Sequence, residues 1–85
     1  MNKVFSDHAW EQYLYWIETD KKILKKINEL IKDIEHNGNT GLGKPEPLKH
    51  DLAGYWSRRI TDEHRLIYSI EKGRILIAAC RNHYK

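Results

Sequence analysis

Residues 20 to 37 carry an unbroken stripe of aliphatic side chains, and this stripe limits the fold more than any other feature of the sequence. Its members recur every three or four residues: Ile23, Leu24, Ile27, Leu30, Ile31 and Ile34. Thr19 or Asp20 can cap a helix here, and Asn37-Gly38 is a favourable end for it. A helix with so complete an apolar face must bury it, so the rest of the chain has to supply a second layer.

The second layer is predicted to be a β-sheet. Three extended stretches, "GYWSRRIT", "EHRLIYSI" and "RILIAACR", are rich in β-branched and aromatic residues. Only short links separate them, which favours antiparallel neighbours. Residues 3 to 5 can add no more than an edge strand, and Ser6 can cap a first helix over residues 7 to 18. We therefore expect an α+β fold, with two N-terminal helices packed on a small, mostly antiparallel sheet, and one domain over residues 1 to 85.

Alternation along the strands predicts one face packed on the helices and one face that carries arginines. On one strand, Ser57 and Arg59 share a side and Arg58 lies on the other. On the next strand, the core-facing set is predicted to be Leu66, Tyr68 and Ile70, which leaves Arg65 and Ile67 on the opposite face.

The composition excludes several classes of protein. Cys80 is the single cysteine, so an internal disulfide is ruled out, and it is predicted to be a small buried hydrophobe. No Cys/His spacing suggests a zinc site, so we expect neither a metal nor a cofactor. No apolar run approaches the roughly 20 residues of a membrane span. The sequence thus predicts a cytoplasmic protein with no membrane segment.

The net charge of +3 is unevenly distributed. Residues 1 to 43 carry six lysines and seven acidic residues, a balance of −1, whereas residues 44 to 85 carry nine lysines or arginines and five acidic residues, a balance of +4. An anionic partner is therefore expected at the second half of the chain, and nucleic acid is the first candidate.

Cleavage of RNA would need no cofactor, because the 2′-hydroxyl is a built-in nucleophile. The protein must supply a base, an acid and cations for the charge that grows on the phosphate. Glu46 is the candidate base, since the prolines of "KPEPLK" limit the directions in which it can point. Lys49 could orient a phosphate. The alternative is a solvated loop in which Glu46 balances Lys44 and Lys49.

His83 is the candidate acid, because imidazole titrates close to neutral pH. Arg65 and Arg59 suit a phosphate, because a guanidinium is planar, always charged and bidentate. The alternatives are a frayed tail at His83 and ordinary surface arginines paired with acidic residues of "TDEHR". Tyr84 could dock the tail or stack on a base.

Three stretches together resemble one known family: "YLYWIETDKKILKKINELIKD", "GKPEPLKHDLAGYWSRRITDEHRLIYSI" and "LIAACRNHY". They are similar to the YoeB toxins of the RelE superfamily, the toxin halves of bacterial type II toxin–antitoxin pairs. The likeness covers nearly the whole chain.

The resemblance implies a ribosome-dependent endoribonuclease that cuts messenger RNA in the A site of the 70S ribosome. It implies catalytic roles for Glu46 as base, Arg65 as phosphate-stabilising cation and His83 as acid, and supporting contacts from Lys49, Arg59 and Tyr84. It also implies a YefM-like antitoxin whose C-terminal segment covers the active site, with operator DNA reached only through that antitoxin. A homodimer is expected, with the aromatic-rich first helix as its candidate interface.

Two other functions fit the same fold class. A gyrase poison of the same superfamily would need no acid–base set, and a non-catalytic nucleic-acid binder, such as a corepressor, would explain the basic half of the chain. Glu46, Arg65 and His83 together favour the nuclease over both.

Overall fold

The computed structural model describes residues 1–83. It contains five strands, two α-helices and a short 3₁₀ helix, His50–Leu52. The strands are β1 (Asn2–Phe5), β2 (Glu46–Pro47), β3 (Trp56–Arg59), β4 (Arg65–Glu71) and β5 (Arg74–Ala79), and the helices are α1 (Asp7–Thr19) and α2 (Lys21–Asn37). The two helices precede the main strands and pack on one sheet, so the predicted α+β fold is confirmed.

The sheet has the strand order β1-β5-β4-β3-β2. The pairs β2–β3, β3–β4 and β4–β5 are antiparallel, as the short links predicted, and β1 pairs parallel with β5 at one edge. The connection from β1 to β5 therefore passes through both helices and the three other strands. The strand β2 forms the opposite edge.

The helix α2 buries its aliphatic stripe against the sheet. The Asp20 carboxylate caps the helix by accepting bonds from the main-chain N–H groups of Lys22 and Ile23, and Gly38 ends it with a positive φ of 64°. The buried side chains of this helix are Ile27, Leu30, Ile31 and Ile34. They share the core with Leu66, Tyr68, Ile75 and Ile77 of the sheet.

The helix α1 fixes the segment that follows β5. Ser6 caps it by accepting from the Ala9 N–H. Further along, Gln12 Oε1 accepts from the Cys80 main-chain N–H at 2.7 Å, and Trp16 Nε1 donates to the Cys80 carbonyl at 2.9 Å. Cys80 itself is buried, and this burial raises the pKa of its thiol to about 12, as expected of a small hydrophobe.

Two details differ from the sequence-based expectations. Glu46 and Pro47 form an edge strand rather than a loop. Ile67, predicted on the arginine-bearing face, is only 4% exposed, and it is buried outside the main core cluster. Arg58 lies on the side opposite Ser57 and Arg59, as predicted, and it is completely buried there, facing the helices. Neither helix of the described residues is long and apolar enough to cross a membrane.

Candidate active site

A cleft of about 230 Å³ opens on the sheet face away from the helices. It is lined by Lys44, Glu46, Ser57, Arg59, Arg65 and His83. Strand register explains why most of these residues meet. Glu46 lies opposite Ser57 and Arg59 lies opposite Arg65, while Ser57 and Arg59 are two residues apart, so all four side chains share one face.

The strand β2 holds Glu46 at the edge of the cleft. Its pairing with β3 is continued by a bond from the Leu48 N–H to the Tyr55 carbonyl at 2.9 Å. On the other side, the Arg59 N–H donates to the Gly43 carbonyl at 2.7 Å. The proline on each side of Glu46 restricts the backbone further. The main chain thus fixes the direction of Glu46, while its side chain stays exposed.

A buried arginine fastens the loop that leads into β2. Arg58 Nη1 bonds to Asp33 Oδ2 of α2, and Arg58 Nε donates to the Tyr68 hydroxyl at 3.1 Å. The same guanidinium donates to the carbonyls of Gly38, Thr40 and Leu42. Residues 38–43, here called the anchored loop, are therefore tied from within to both the helix and the sheet. The Arg58 guanidinium beside Asp33 holds the pKa of that carboxyl below its usual range.

Arg59 and Arg65 lie directly opposite each other on neighbouring strands. Side chains so placed have Cβ atoms about 4.5–5.5 Å apart, and like charges in this arrangement destabilise a sheet. Arg59 is exposed and Arg65 is half-buried, and both line the cleft. An anion bound between the two guanidinium groups would offset their mutual repulsion, so the arrangement suits a phosphate.

Arg65 is held by main-chain carbonyls. Its Nη1 donates to the carbonyls of Thr61, Asp62 and His64 at 2.7, 3.0 and 3.2 Å. The sequence left open an ion pair with the side chains of Asp62 or Glu63, but the turn contributes carbonyl oxygens instead. The guanidinium is thereby oriented without having its positive charge neutralised.

His83 reaches the cleft on a tail that is bound at several points. Asn82 has a positive φ of 65°, and its carbonyl accepts from the Arg65 N–H at 3.1 Å. His83 Nε2 lies 2.9 Å from the Asp62 carbonyl. A carbonyl oxygen can only accept, so Nε2 carries a proton and donates. The tail is therefore not frayed at His83, and the ring presents a protonated nitrogen beside the arginines.

The structure brings four of the six predicted site residues together: Glu46, Arg59, Arg65 and His83. Lys49 is exposed beyond β2 and is not among the residues that line the cleft. Tyr84 lies outside the described residues. Two lining residues, Lys44 and Ser57, were not predicted. Strand alternation predicts Ser57 on the same face as Arg59, and Lys44 is the first residue of the "KPEPLK" segment that contains Glu46. The sequence therefore contained a pattern that could have identified both residues.

Other conspicuous residues are structural or lie elsewhere. Trp16 is buried, whereas Trp10 is exposed and stacks on Tyr13 with ring centroids 5.8 Å apart. The Arg81 guanidinium lies 3.8 Å from the ring centroid of Tyr15, a cation–π contact outside the cleft. Among residues 1–83, no group of three or more His, Cys, Asp and Glu side chains is placed to hold a metal ion.

Comparison with known proteins places the chain in one family. Residues 5–84 match the model of the YoeB-like toxin of bacterial type II toxin–antitoxin systems. Toxin YoeB of Escherichia coli strain K12 is 61% identical over 84 residues, which cover 99% of this chain and 100% of that protein.

Solved structures agree. A YoeB/ParE toxin from Agrobacterium tumefaciens is 46% identical with a TM-score of 0.96, covering 99% of this chain and 100% of that one. Staphylococcus aureus YoeB, solved as a dimer, is 53% identical with a TM-score of 0.93 and covers 99% and 98%. The same toxin, solved in complex with YefM, is 52% identical, with the same TM-score and coverage. The chain described here belongs to the YoeB-like toxin family of bacterial type II toxin–antitoxin systems.

Proposed function

We propose that this chain is a metal-independent endoribonuclease that cuts messenger RNA in the A site of the ribosome. The observation that carries the proposal is the cleft, where a carboxylate, two opposed arginines and a protonated imidazole nitrogen line about 230 Å³. A gyrase poison or a passive nucleic-acid binder would not require this combination. Messenger RNA and ribosomes also place the proposed activity in the cytoplasm.

The reaction begins at the 2′-hydroxyl of the nucleotide that precedes the cut. Glu46 accepts the hydroxyl proton as the 2′-oxygen attacks the adjacent phosphorus in line with the leaving 5′-oxygen. The new O2′–P bond forms as the P–O5′ bond breaks, giving a 2′,3′-cyclic phosphate. The rigid edge strand fixes the position of Glu46, and the ribosome would contribute by holding the message extended.

The arginines act on the phosphate. Negative charge grows on its non-bridging oxygens in the transition state, and Arg65, oriented by three carbonyls, is placed to stabilise it. Arg59 shares the anion from the neighbouring strand. Binding the phosphate would also remove the repulsion between the two guanidinium groups. Lys44, which lines the cleft, and Lys49, which is exposed beyond β2, are assigned as further cations for the RNA backbone, and Tyr84 is assigned a supporting contact.

His83 supplies the last proton. In the free protein its Nε2–H donates to the Asp62 carbonyl. In the complex His83 would act as the imidazolium, protonated on both ring nitrogens, and its Nε2 proton would pass to the 5′-oxygen as the P–O5′ bond breaks, which leaves a neutral imidazole and a 5′-hydroxyl end. The proton taken up by Glu46 and the proton released by His83 balance over the step.

The test is primer extension on message bound to 70S ribosomes. We expect the variants Glu46→Gln, Arg65→Ala and His83→Gln each to lower the cleavage rate by about 10²- to 10⁴-fold. Matched controls make the same chemical change on exposed residues outside the cleft: Glu71→Gln, Arg74→Ala and His36→Gln. The controls should cut at the wild-type rate. The products should carry 2′,3′-cyclic phosphate and 5′-hydroxyl ends.

Near-normal cutting by all three cleft variants would overturn this function. So would intact message accompanied by double-strand breaks in DNA, since that result is the one expected of a gyrase poison.

We further propose a YefM-like antitoxin as the partner that covers the cleft with its C-terminal segment, and operator DNA is reached only through it. The support is the complex of the similar Staphylococcus aureus toxin with YefM. An acidic side chain or terminal carboxylate could neutralise Arg59 and Arg65 as a phosphate would.

A homodimer through α1 is also proposed. The side chains of Trp10, Leu14 and Ile17 are 46%, 42% and 40% exposed, and their spacing of four and three residues aligns them on one face of the helix. The similar Staphylococcus aureus toxin was solved as a dimer. Burial against a second copy would give this exposed apolar stripe a partner.

A further inference from the structure

His64 is a buried histidine beside the cleft that does not line it. The residue is 8% exposed. Its Nδ1 lies 2.8 Å from the main-chain nitrogen of Asn82. A main-chain N–H can only donate, so Nδ1 is an unprotonated acceptor and the neutral ring carries its proton on Nε2. The Glu63 carboxylate lies 3.5 Å from Nε2, on the side where that proton points.

The ring has little freedom to move. The rings of His64 and Trp16 form a T-shaped contact, with centroids 4.8 Å apart and planes at 73°. The His64 N–H donates to Thr61 Oγ1 at 3.1 Å, and the His64 carbonyl accepts from the N–H groups of Ile60 and Thr61. The side chain and backbone of His64 are therefore both held by contacts other than the bond to Asn82.

The bond to His64 belongs to a set that ties the tail to residues 62–65. Asn82 donates its N–H to His64 Nδ1 and accepts at its carbonyl from the Arg65 N–H. The next residue, His83, bonds to the Asp62 carbonyl. Asn82 is thus held on both sides of its Cα, in a left-handed conformation that costs a non-glycine residue free energy unless its surroundings impose it.

We infer that His64 is a positioning residue, whose neutral ring fixes Asn82 and thereby holds the His83 imidazole at the cleft. The inference rests on the proposed nuclease function, in which His83 is the acid. The Nδ1 bond is made by a side chain outside the cleft, so it can be removed without changing any group that touches the RNA. A proton donor displaced by about 1 Å can lose about 10²-fold in rate, so a loosened tail should slow the chemical step.

Two substitutions separate the acceptor from the rest of the ring. In His64→Asn the amide oxygen can occupy the position of Nδ1 and accept from Asn82. In His64→Gln the longer side chain carries its amide toward Glu63 and leaves no acceptor at the Nδ1 position. Both remove the ring contact with Trp16, so each serves as the control for the other.

Single-turnover cleavage on programmed ribosomes is the measurement. We expect His64→Gln to lower the maximal cleavage rate by about 10- to 100-fold, with the half-saturating toxin concentration unchanged. His64→Asn should cut at a rate much closer to that of the wild type, although the two variants should have similar thermal midpoints. Hydrogen exchange at the Asn82 amide should accelerate in His64→Gln relative to His64→Asn.

Equal rates for the two variants would overturn the inference while leaving the nuclease function intact. Failure of the wild-type protein to cut would overturn the function instead. Nitrogen NMR of the wild-type protein tests the contact even if a variant does not fold. The ring of His64 should show an unprotonated Nδ1 and a protonated Nε2, and the reverse tautomer would contradict the bond to Asn82.

Discussion

Arg65 combines two tasks that a single ammonium group could not perform together. Its Nη1 is bound to the carbonyls of the turn, and the same residue lines the cleft. A lysine would keep the charge, but its compact head group cannot be anchored on one side and present a planar pair of donors on the other. The geometry of the fork, in addition to the charge, is therefore expected to matter for catalysis.

Arg65→Lys should accordingly impair cleavage with little effect on binding. We expect the maximal rate on ribosome-bound message to fall by about 10²- to 10³-fold, the size of a lost oriented donor to the transition state. Arg74→Lys makes the same change on an exposed arginine of β5 and should leave the rate unchanged. If the Arg65→Lys protein cut as fast as wild type, charge alone would suffice at this position.

The candidate acid and base groups could be predicted from the sequence because their chemistry is local. Glu46 lies between two prolines and His83 next to an aromatic residue, and both patterns are visible within a few positions. Arg58 and His64 could not be assigned in this way. Their partners lie at Asp33 and Asn82, 25 and 18 positions away, and only the fold brings them into contact.

The anchored loop depends on α2 and β3 for its shape. Arg58 reaches from β3 to three carbonyls of this loop and to Asp33. At Gly43 a Cβ atom would lie 3.0 Å from the Arg59 carbonyl oxygen and 2.9 Å from Leu30, and φ is 79°, so a larger residue would be strained and crowded. The edge strand that carries Glu46 is therefore positioned by the core.

Removing the Arg58 side chain should destabilise the whole domain. At neutral pH we expect Arg58→Met to lower the free energy of unfolding by about 3–5 kcal/mol, because the buried Tyr68 hydroxyl, three part-buried carbonyls and the Asp33 carboxylate lose their donor. Part of this stabilisation comes from the ionised Asp33 carboxylate, whose pKa is lowered in the folded protein. That part is present above the ordinary carboxyl pKa of 3.8 and is lost as the pH falls below it. Urea unfolding of the wild-type and Arg58→Met proteins from pH 7 to pH 2.5 should show the difference in their free energies of unfolding becoming smaller in acid.

A surface ion pair supplies the control. Lys3 bonds to Glu35 at 2.6 Å and lowers the pKa of that carboxyl, but the lysine side chain is 39% exposed. Lys3→Met should therefore lower the free energy of unfolding much less than Arg58→Met does at neutral pH. A comparable loss of stability from both substitutions, or a loss for Arg58→Met that stays constant in acid, would contradict the stabilising role of the Arg58–Asp33 pair.

The pairing of Glu46 and Pro47 with β3 also shows what local sequence cannot reveal about an element. Two prolines and three glycines within residues 38–47 are typical of a loop. Proline is tolerated at a sheet edge, however, and β3 offers Ser57 and Trp56 as partners. The strand β2 forms because the longer strand β3 offers it hydrogen-bonding partners, and residues 44–49 alone contain no pattern that predicts this pairing.

At the scale of the molecule, residues 1–83 present two surfaces of different character. One is the cleft, which is polar and rich in cations. The other is the exposed stripe of Trp10, Leu14 and Ile17 on α1, which contributes little to the core of its own protomer. In a protein with a single small core, an apolar stripe of this kind is typical of an association surface. The sequence predicts that these residues lie on a helix, but it cannot distinguish interface positions from core positions, because both recur every three or four residues.

Substitutions on this stripe should therefore dissociate the proposed dimer without unfolding the protomer. A residue at the centre of an interface can contribute about 1 kcal/mol or more, so Leu14→Lys and Ile17→Lys should each raise the dimer dissociation constant by about 5-fold or more. Leu42→Lys places the same charge on a similarly exposed leucine of the anchored loop and should leave the constant unchanged. Sedimentation equilibrium measures all three, with circular dichroism to verify the fold. A dimer as tight as wild type in both α1 variants would show that the copies associate through another surface, and α1 would then need a different partner.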